Sequence, residues 1–249
     1  MGALHDGHLA LVRRARAESI TVAVSVFVNP LQFAAGEDLA KYPRDLEGDK
    51  QKLASAGADV AFTPSDESMY PNGFSTSVDV GDIGSAFEGA IRPSHFRGVA
   101  TVVTKLLNIV RPDTLYLGQK DAQQTAVLRK LVRDLELPVS VTIVPTERDT
   151  DGLALSSRNA YLTPEQREAA PSLHNALQAV RLAMSAGRSK VDAIAMGKTR
   201  LSKVAELDYI DVVDANSFNP IDTLEPPAFV IAAARFGTTR LLDNLWIDQ

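Results

Sequence analysis

Apolar positions recur along the first part of this chain with two different periods. "ITVAVSVFV" (Ile20 to Val28) is β-branched and nearly unbroken in apolarity, the pattern of a strand covered on both faces. Ahead of it, His8 to Ala17 sets Leu9, Leu11 and Val12 among Arg13, Arg14 and Arg16, and this spacing predicts a helix. Leu46 to Ala56 predicts a second helix, closed by Gly57 and followed by the short strand "DVAFT". A third helix over Val99 to Val110 is apolar enough to lie on a sheet, and Arg111-Pro112 stops it. Strand "TLYL", a helix over Gln123 to Asp134, a break at Pro138 and strand "VSVTIV" complete the series. Strands alternating with helices predict an α/β fold with a doubly wound parallel sheet.

After Pro145 the alternation stops. Thr163 is placed as an N-cap, with Pro164 at the first helical position and Gln166 completing a capping box. That helix runs towards Gly187, and another starts at Val191. The segments "LDYIDVV", "AFVIAAARF" and "TTRLLDNLWI" predict strands joined by turns. Helices followed by strands point to a smaller α+β domain, with a boundary near Thr146 that separates residues 1–146 from 147–249.

Composition narrows the functions open to such a chain. Its 249 residues suffice for one large domain or two small ones. Nothing approaches the roughly 18 consecutive apolar residues of a membrane span, and the opening lacks the basic-then-apolar pattern of a signal peptide. The chain has no cysteine, which excludes disulfides and thiolate chemistry. A cytoplasmic setting is the expectation. A net charge of -5 with scattered basic residues argues against nucleic acid. It leaves room for a small anionic ligand held by a few placed charges.

Candidate chemistry begins at "MGALHDGH". Histidines at i and i+3 share one face of a first helical turn, where unpaired N–H groups and the helix dipole favour anions. Gly7 would let the backbone approach a phosphate closely. On these residues alone a frayed tail and a metal pair stay open, although His95 and His174 are the only other histidines and neither has ligand spacing. "GQKDAQQ" (Gly118 to Gln124) lies at a strand–helix junction, with Lys120 as a point charge for phosphate and Asp121 as a cap or ribose partner. "LSSRN" offers hydroxyls and the bidentate fork of Arg158, or equally a serine-rich surface loop. "FVNPLQF" presents Gln32 between apolar neighbours, as a small polar molecule with an apolar body requires. "RPSHFRGV" places Arg92 and His95 before the third helix. No Walker-type G-x-x-x-x-G-K-[ST] is present.

Together "MGALHDGH", "FVNPLQF", "YPR", "MYP", "RPSHFRGVATVV", "GQKDAQQ", "DGLALSSRN" and "TTRLLDN" resemble, in family order and over nearly the whole chain, the pantothenate synthetase (pantoate–β-alanine ligase) family. That family is part of the cytidylyltransferase-like superfamily with the HIGH-type motif. The resemblance implies a Rossmann-like sheet with a C-terminal lid domain. It also implies condensation of (R)-pantoate with β-alanine through pantoyl adenylate, releasing pyrophosphate and AMP. By match to the motifs, His5, His8, Lys120, Ser156 and Arg158 would be catalytic. ATP would be held by Met1, Gly2, Ala3, Leu4, His5, Asp6, Gly7 and His8 at the opening. Gly118, Gln119, Lys120, Asp121, Glu147, Leu155, Ser156, Ser157 and Arg158 would hold it elsewhere. Gln32 and Gln124 would grip pantoate, Gln32 near β-alanine as well. Magnesium would accompany ATP, and the assembly would be a homodimer.

The match departs from the family at three places. An acidic pair that helps hold magnesium appears as Gly48-Asp49, so Asp49 alone carries over as a metal ligand. Glu147 stands where the family has an apolar residue that meets adenine through its backbone. The resemblance also implies a helix and a first strand ending in Pro-Thr ahead of the opening motif, so the sheet here is expected to lack that strand, through a late start site or a shortened chain.

Overall fold

A computed structural model of the chain describes residues 2–33, 39 and 42–248. They form two compact units, Met1–Gly118 with Gln123–Val144, and Gln119–Ala122 with Pro145–Gln249.

The first unit is parallel α/β. Helix α1 (Asp6–Glu18) starts after His5 in extended conformation and buries Leu9, Val12 and Ala15, one face at helical spacing. Strand β1 (Ala23–Ser25) pairs in parallel with β2 (Val60–Phe62) across helix α2 (Leu46–Ala56). The Asp45 carboxylate caps α2 by accepting from Gly48 N at 2.9 Å, and Gly57 ends it at φ 91°, in the left-handed region glycine tolerates. Short helices α3 (Asp66–Met69) and α4 (Glu88–Ile91) precede α5 (His95–Val110). Strand β3 (Thr114–Gly118) then leads through α6 (Ala122–Asp134) to its parallel partner β4 (Ser140–Val144).

The parallel strands fall into two pairs, β1–β2 and β3–β4. Among the described residues no strand joins β1 to β3. The long apolar run Ile20–Val28 accordingly shows strand pairing only over the length of its short partner β2. Two apolar clusters serve the unit. Leu4, Leu9, Val12, Val24 and Leu53 gather around α1 and α2, while Phe96, Val99, Ala100, Val127 and Leu128 gather between α5 and α6.

The second unit is α+β. The expected capping box is formed: Gln166 N donates to Thr163 Oγ1 at 3.3 Å and Thr163 N to Gln166 Oε1 at 3.1 Å. The single helix expected from there to Gly187 is instead two, α7 (Pro164–Ala169) and α8 (Ser172–Ser185). Pro171 lies between them, and it can neither donate to nor fit inside a continuing helix. Helix α9 (Lys190–Leu201) leads into the antiparallel sheet β5 (Glu206–Asp214), β6 (Ala228–Phe236) and β7 (Thr239–Ile247), with β6 central. The core lies between α8 and this sheet: Leu173, Leu177 and Val180 meet Val212, Val230 and Phe236, all nearly inaccessible.

Candidate functional site

In the first unit the opening loop is built by one carboxylate. Asp49 of α2, 1 % exposed, accepts Ala3 N at 3.0 Å and Leu4 N at 2.7 Å. Lys52, one turn further along α2, donates from Nζ to Leu4 O at 2.8 Å. This clamp holds Ala3 at φ 50°, a conformation that L-residues adopt only at a cost of about 1–2 kcal/mol. Gly2 packs so closely that a Cβ there would stand 3.1 Å from Val28. The opening run therefore lies beside the end of the apolar segment that carries β1.

His5 and His8 follow at the start of α1, ring centroids 4.0 Å apart. His5 N donates to His8 Nδ1 at 3.4 Å. An accepting Nδ1 assigns the proton of neutral His8 to Nε2, so the ring carries its donor on the nitrogen away from the helix backbone. Asp6 and Gly7 occupy the first turn, where main-chain N–H groups lack helical partners and the dipole favours anions. Met1 lies outside the described residues.

Gln32 closes the 3-10 turn Pro30–Gln32. Its carbonyl accepts from Arg92 Nη2 at 3.2 Å and faces His95 Nδ1 at 2.9 Å. Asn29 fixes the other end of the turn: it donates to Gly98 O at 3.1 Å and to Gln32 Oε1 at 3.2 Å, and accepts from Tyr70 Oη at 2.7 Å. A Cβ at Gly98 would fall 2.2 Å from Leu31 O, so only glycine lets α5 approach this turn. Arg92, His95 and Gly98 thus hold the turn, a use for "RPSHFRGV" that the sequence does not disclose. Tyr70 is half-buried, and burial pushes its hydroxyl up to about 12, with the nearby Asp66 charge adding to the effect. Gln124 sits half-buried in the first turn of α6.

The second unit holds the remaining candidates. Gly118, the last residue of β3 in the first unit, is followed by Gln119, Lys120 and Asp121, which belong to the second. Lys120 Nζ lies 3.6 Å from Asp121 Oδ1 with its side chain 21 % exposed. Glu147 and Leu155 face each other across a hairpin, Leu155 N donating to Glu147 O at 2.9 Å, and Gly152 makes the turn at φ 92°. Glu147 itself is exposed. Ser156 begins the 3-10 turn Ser157–Tyr161 by accepting Arg158 N on Oγ at 3.3 Å, so Ser156, Ser157 and Arg158 share one rigid turn. A small cavity brings Lys120 and Ser156 together, bordered also by Asn159, His174 and Asp243.

Asp243 is buried and bidentate to Arg148, with Nη1–Oδ2 at 2.7 Å and Nη2–Oδ1 at 2.9 Å. Burial alone would raise its carboxyl, but His174 and Arg148 outweigh that and hold it below the usual carboxylate range. The sequence signal for this centre is the polar pair Asp243-Asn244 inside the apolar strand "RLLDNLWI".

Asp49, the candidate metal ligand, is engaged in holding the opening loop. Both carboxylate oxygens are turned on main-chain N–H groups in a buried site. Among the described residues no group of three His, Asp or Glu is placed to hold an ion. No helix of the described residues is long and apolar enough to cross a membrane.

A histidine pair at the start of a helix in a parallel α/β unit is an arrangement of nucleotide-handling α/β proteins. The family model for pantoate-beta-alanine ligase matches residues 1–246. A pantothenate synthetase of Heliobacterium modesticaldum is 50% identical over 251 residues, covering 100% of this chain and 89% of that protein. The crystal structure of the Thermus thermophilus pantothenate synthetase superposes with a TM-score of 0.97 at 50% identity, covering 100% of this chain and 91% of that one. Pantoate-beta-alanine ligase from Francisella tularensis, complexed with beta-gamma ATP and beta-alanine, gives 0.81 at 36% identity over 99% and 87% of the two chains. The chain belongs to the pantoate–β-alanine ligase family.

Proposed function

We propose that this chain joins (R)-pantoate to β-alanine, driven by ATP. A pantoate carboxylate oxygen attacks the α-phosphorus and pyrophosphate leaves. The β-alanine amine then attacks the acyl carbon of pantoyl adenylate, AMP leaves, and pantothenate forms. Family membership over 1–246 is the observation that carries the reading, and the Francisella protein's complex with beta-gamma ATP and beta-alanine supports both small molecules as ligands.

Negative charge builds at the α-phosphate and the leaving pyrophosphate in the first step. The start of α1 offers main-chain N–H groups and His8 an Nε2–H, each suited to that charge. Lys120 supplies a full positive charge, and Ser156, Ser157 and Arg158 grip ATP from one turn, with Arg158 as a fork on phosphate oxygens. Gly2, Ala3, Leu4, Asp6, Gly7, Gly118, Gln119, Asp121, Glu147 and Leu155 complete the ATP site. Gln32 and Gln124 present amides to the hydroxyl and carboxylate oxygens of pantoate. Residues 1–146 serve as the nucleotide- and pantoate-binding domain and 147–249 as the lid that keeps water from the acyl adenylate.

Magnesium accompanies the triphosphate, which normally brings the ion and its waters with it; Asp49 has its oxygens engaged elsewhere. The family resemblance extends the proposal to a cytoplasmic homodimer. Pantoate-dependent ATP–pyrophosphate exchange tests the reading: exchange that stops without pantoate and disappears in Lys120→Ala supports it. Exchange that persists in Lys120→Ala refutes the role of that lysine.

A further inference from the structure

We propose that Asn244 is the positioning residue for Lys120. Its side-chain amide, 1 % exposed, donates both Nδ2 protons, to Gln119 O at 2.9 Å and to Lys120 O at 2.8 Å. Its Oδ1 accepts Gln119 Nε2 at 3.2 Å. Three bonds thus tie a strand residue to a turn 124 and 125 positions away in sequence. That turn needs an outside holder. Gly118 ends β3 and Ala122 begins α6, so Gln119 and Lys120 lie outside both strand and helix, and Asn244 takes up their carbonyls.

The holder is itself immobilised. Asn244 pairs with Ile231 in the β6–β7 ladder, donates its own N–H to Asp243 Oδ1 at 2.7 Å, and accepts Arg148 Nη2 on its carbonyl at 3.0 Å. Arg148 in turn is bidentate on Asp243. Neighbouring strand residues point to opposite faces, so the Asp243-Asn244 pair carries the ion pair on one side and the turn on the other. Lysine has a long, rotatable stem, and its ammonium is only as well placed as the backbone that carries it. The motif "TTRLLDN", which assigns no substrate contact, thereby acquires a catalytic purpose. A misplacement of the order of 1 Å in such a group costs about a hundredfold in rate.

The inference rests on the adenylating role of Lys120, and the test separates the two. Asn244→Asp keeps the side chain's shape but turns an oxygen on two carbonyls; Asn244→Ala deletes the contacts and guards against misfolding of the first variant. Circular dichroism establishes that each is folded. The expected result is a fall of about a hundredfold in kcat for pantoate-dependent ATP–pyrophosphate exchange with pantoate KM little changed. Amide hydrogen exchange over residues 119–122 should quicken in both variants. Full kcat in a folded variant or unchanged amide exchange would each overturn the proposal. Absence of exchange activity in the parent chain would strike at the adenylating reading instead, and amide exchange would then decide the positioning role by itself.

Discussion

Asp49→Asn changes one atom of the carboxylate that clamps the opening loop and nothing of its size. The carboxylate accepts two main-chain N–H groups, at 2.7 and 3.0 Å, in a site 1 % exposed. Asparagine can accept only one of them and turns an NH2 on the other. One stranded buried donor costs about 1–3 kcal/mol, and the surviving bond loses its charge assistance, so the loss should total about 2–4 kcal/mol. Part returns as Ala3 relaxes from φ 50°, which disturbs the geometry that sets His5 and His8. Urea unfolding at constant m-value reads the stability, and calorimetric ATP titration reads the loop. A variant within about 0.5 kcal/mol of the parent, the range of an ordinary surface change, with unaltered ATP affinity would refute the clamp. Retained stability with an increased magnesium requirement would instead support Asp49 as a metal ligand.

Three further outcomes follow from the geometry. Gly98→Ala puts a Cβ 2.2 Å from Leu31 O, so the turn bearing Gln32 must move; pantoate KM should rise, and thermal denaturation should show a loss of about 1–3 kcal/mol. Asp243 is held below the usual carboxylate range in the folded chain, so it contributes stability that is complete above its unfolded pKa of about 3.9 and lost as pH falls through the lower folded value. Arg148→Met strands that buried charge and raises its pKa; acid unfolding should start at higher pH, with about 3–5 kcal/mol lost near neutrality by urea titration. Gly152→Ala imposes a side chain at φ 92° with His174 2.8 Å from its Cβ, and the hairpin joining Glu147 to Leu155 should loosen, visible as weaker ATP binding in calorimetry.

Local rules bring most of the architecture within reach of the sequence. The Thr163–Gln166 box, the Gly57 stop and the period changes around Pro145 report on neighbouring residues, and such signals need no tertiary information. Pro171 is equally local but lies inside an apolar period that continues across it, which masks the break between two helices. The site divides in the same way. His5 and His8 at i and i+3 announce themselves, whereas Asp49 against Ala3 and Leu4 depends on a contact 45 and 46 positions distant. Asn244 against Lys120 is more remote still. Carboxylate and amide residues carry no mark of whether they will meet an ion, a ligand or the chain's own N–H groups. Only folding decides that.

Lys120 belongs to the first half of the chain by position and to the second by bonding. The two halves of this chain are therefore not free cassettes. A chimera joined at residue 146, taking its amino-terminal part from this chain and the rest from a relative, inherits the lysine from one parent and its anchor from the other. The Gln119–Asn244 and Lys120–Asn244 hydrogen bonds then have to form between residues of different parentage.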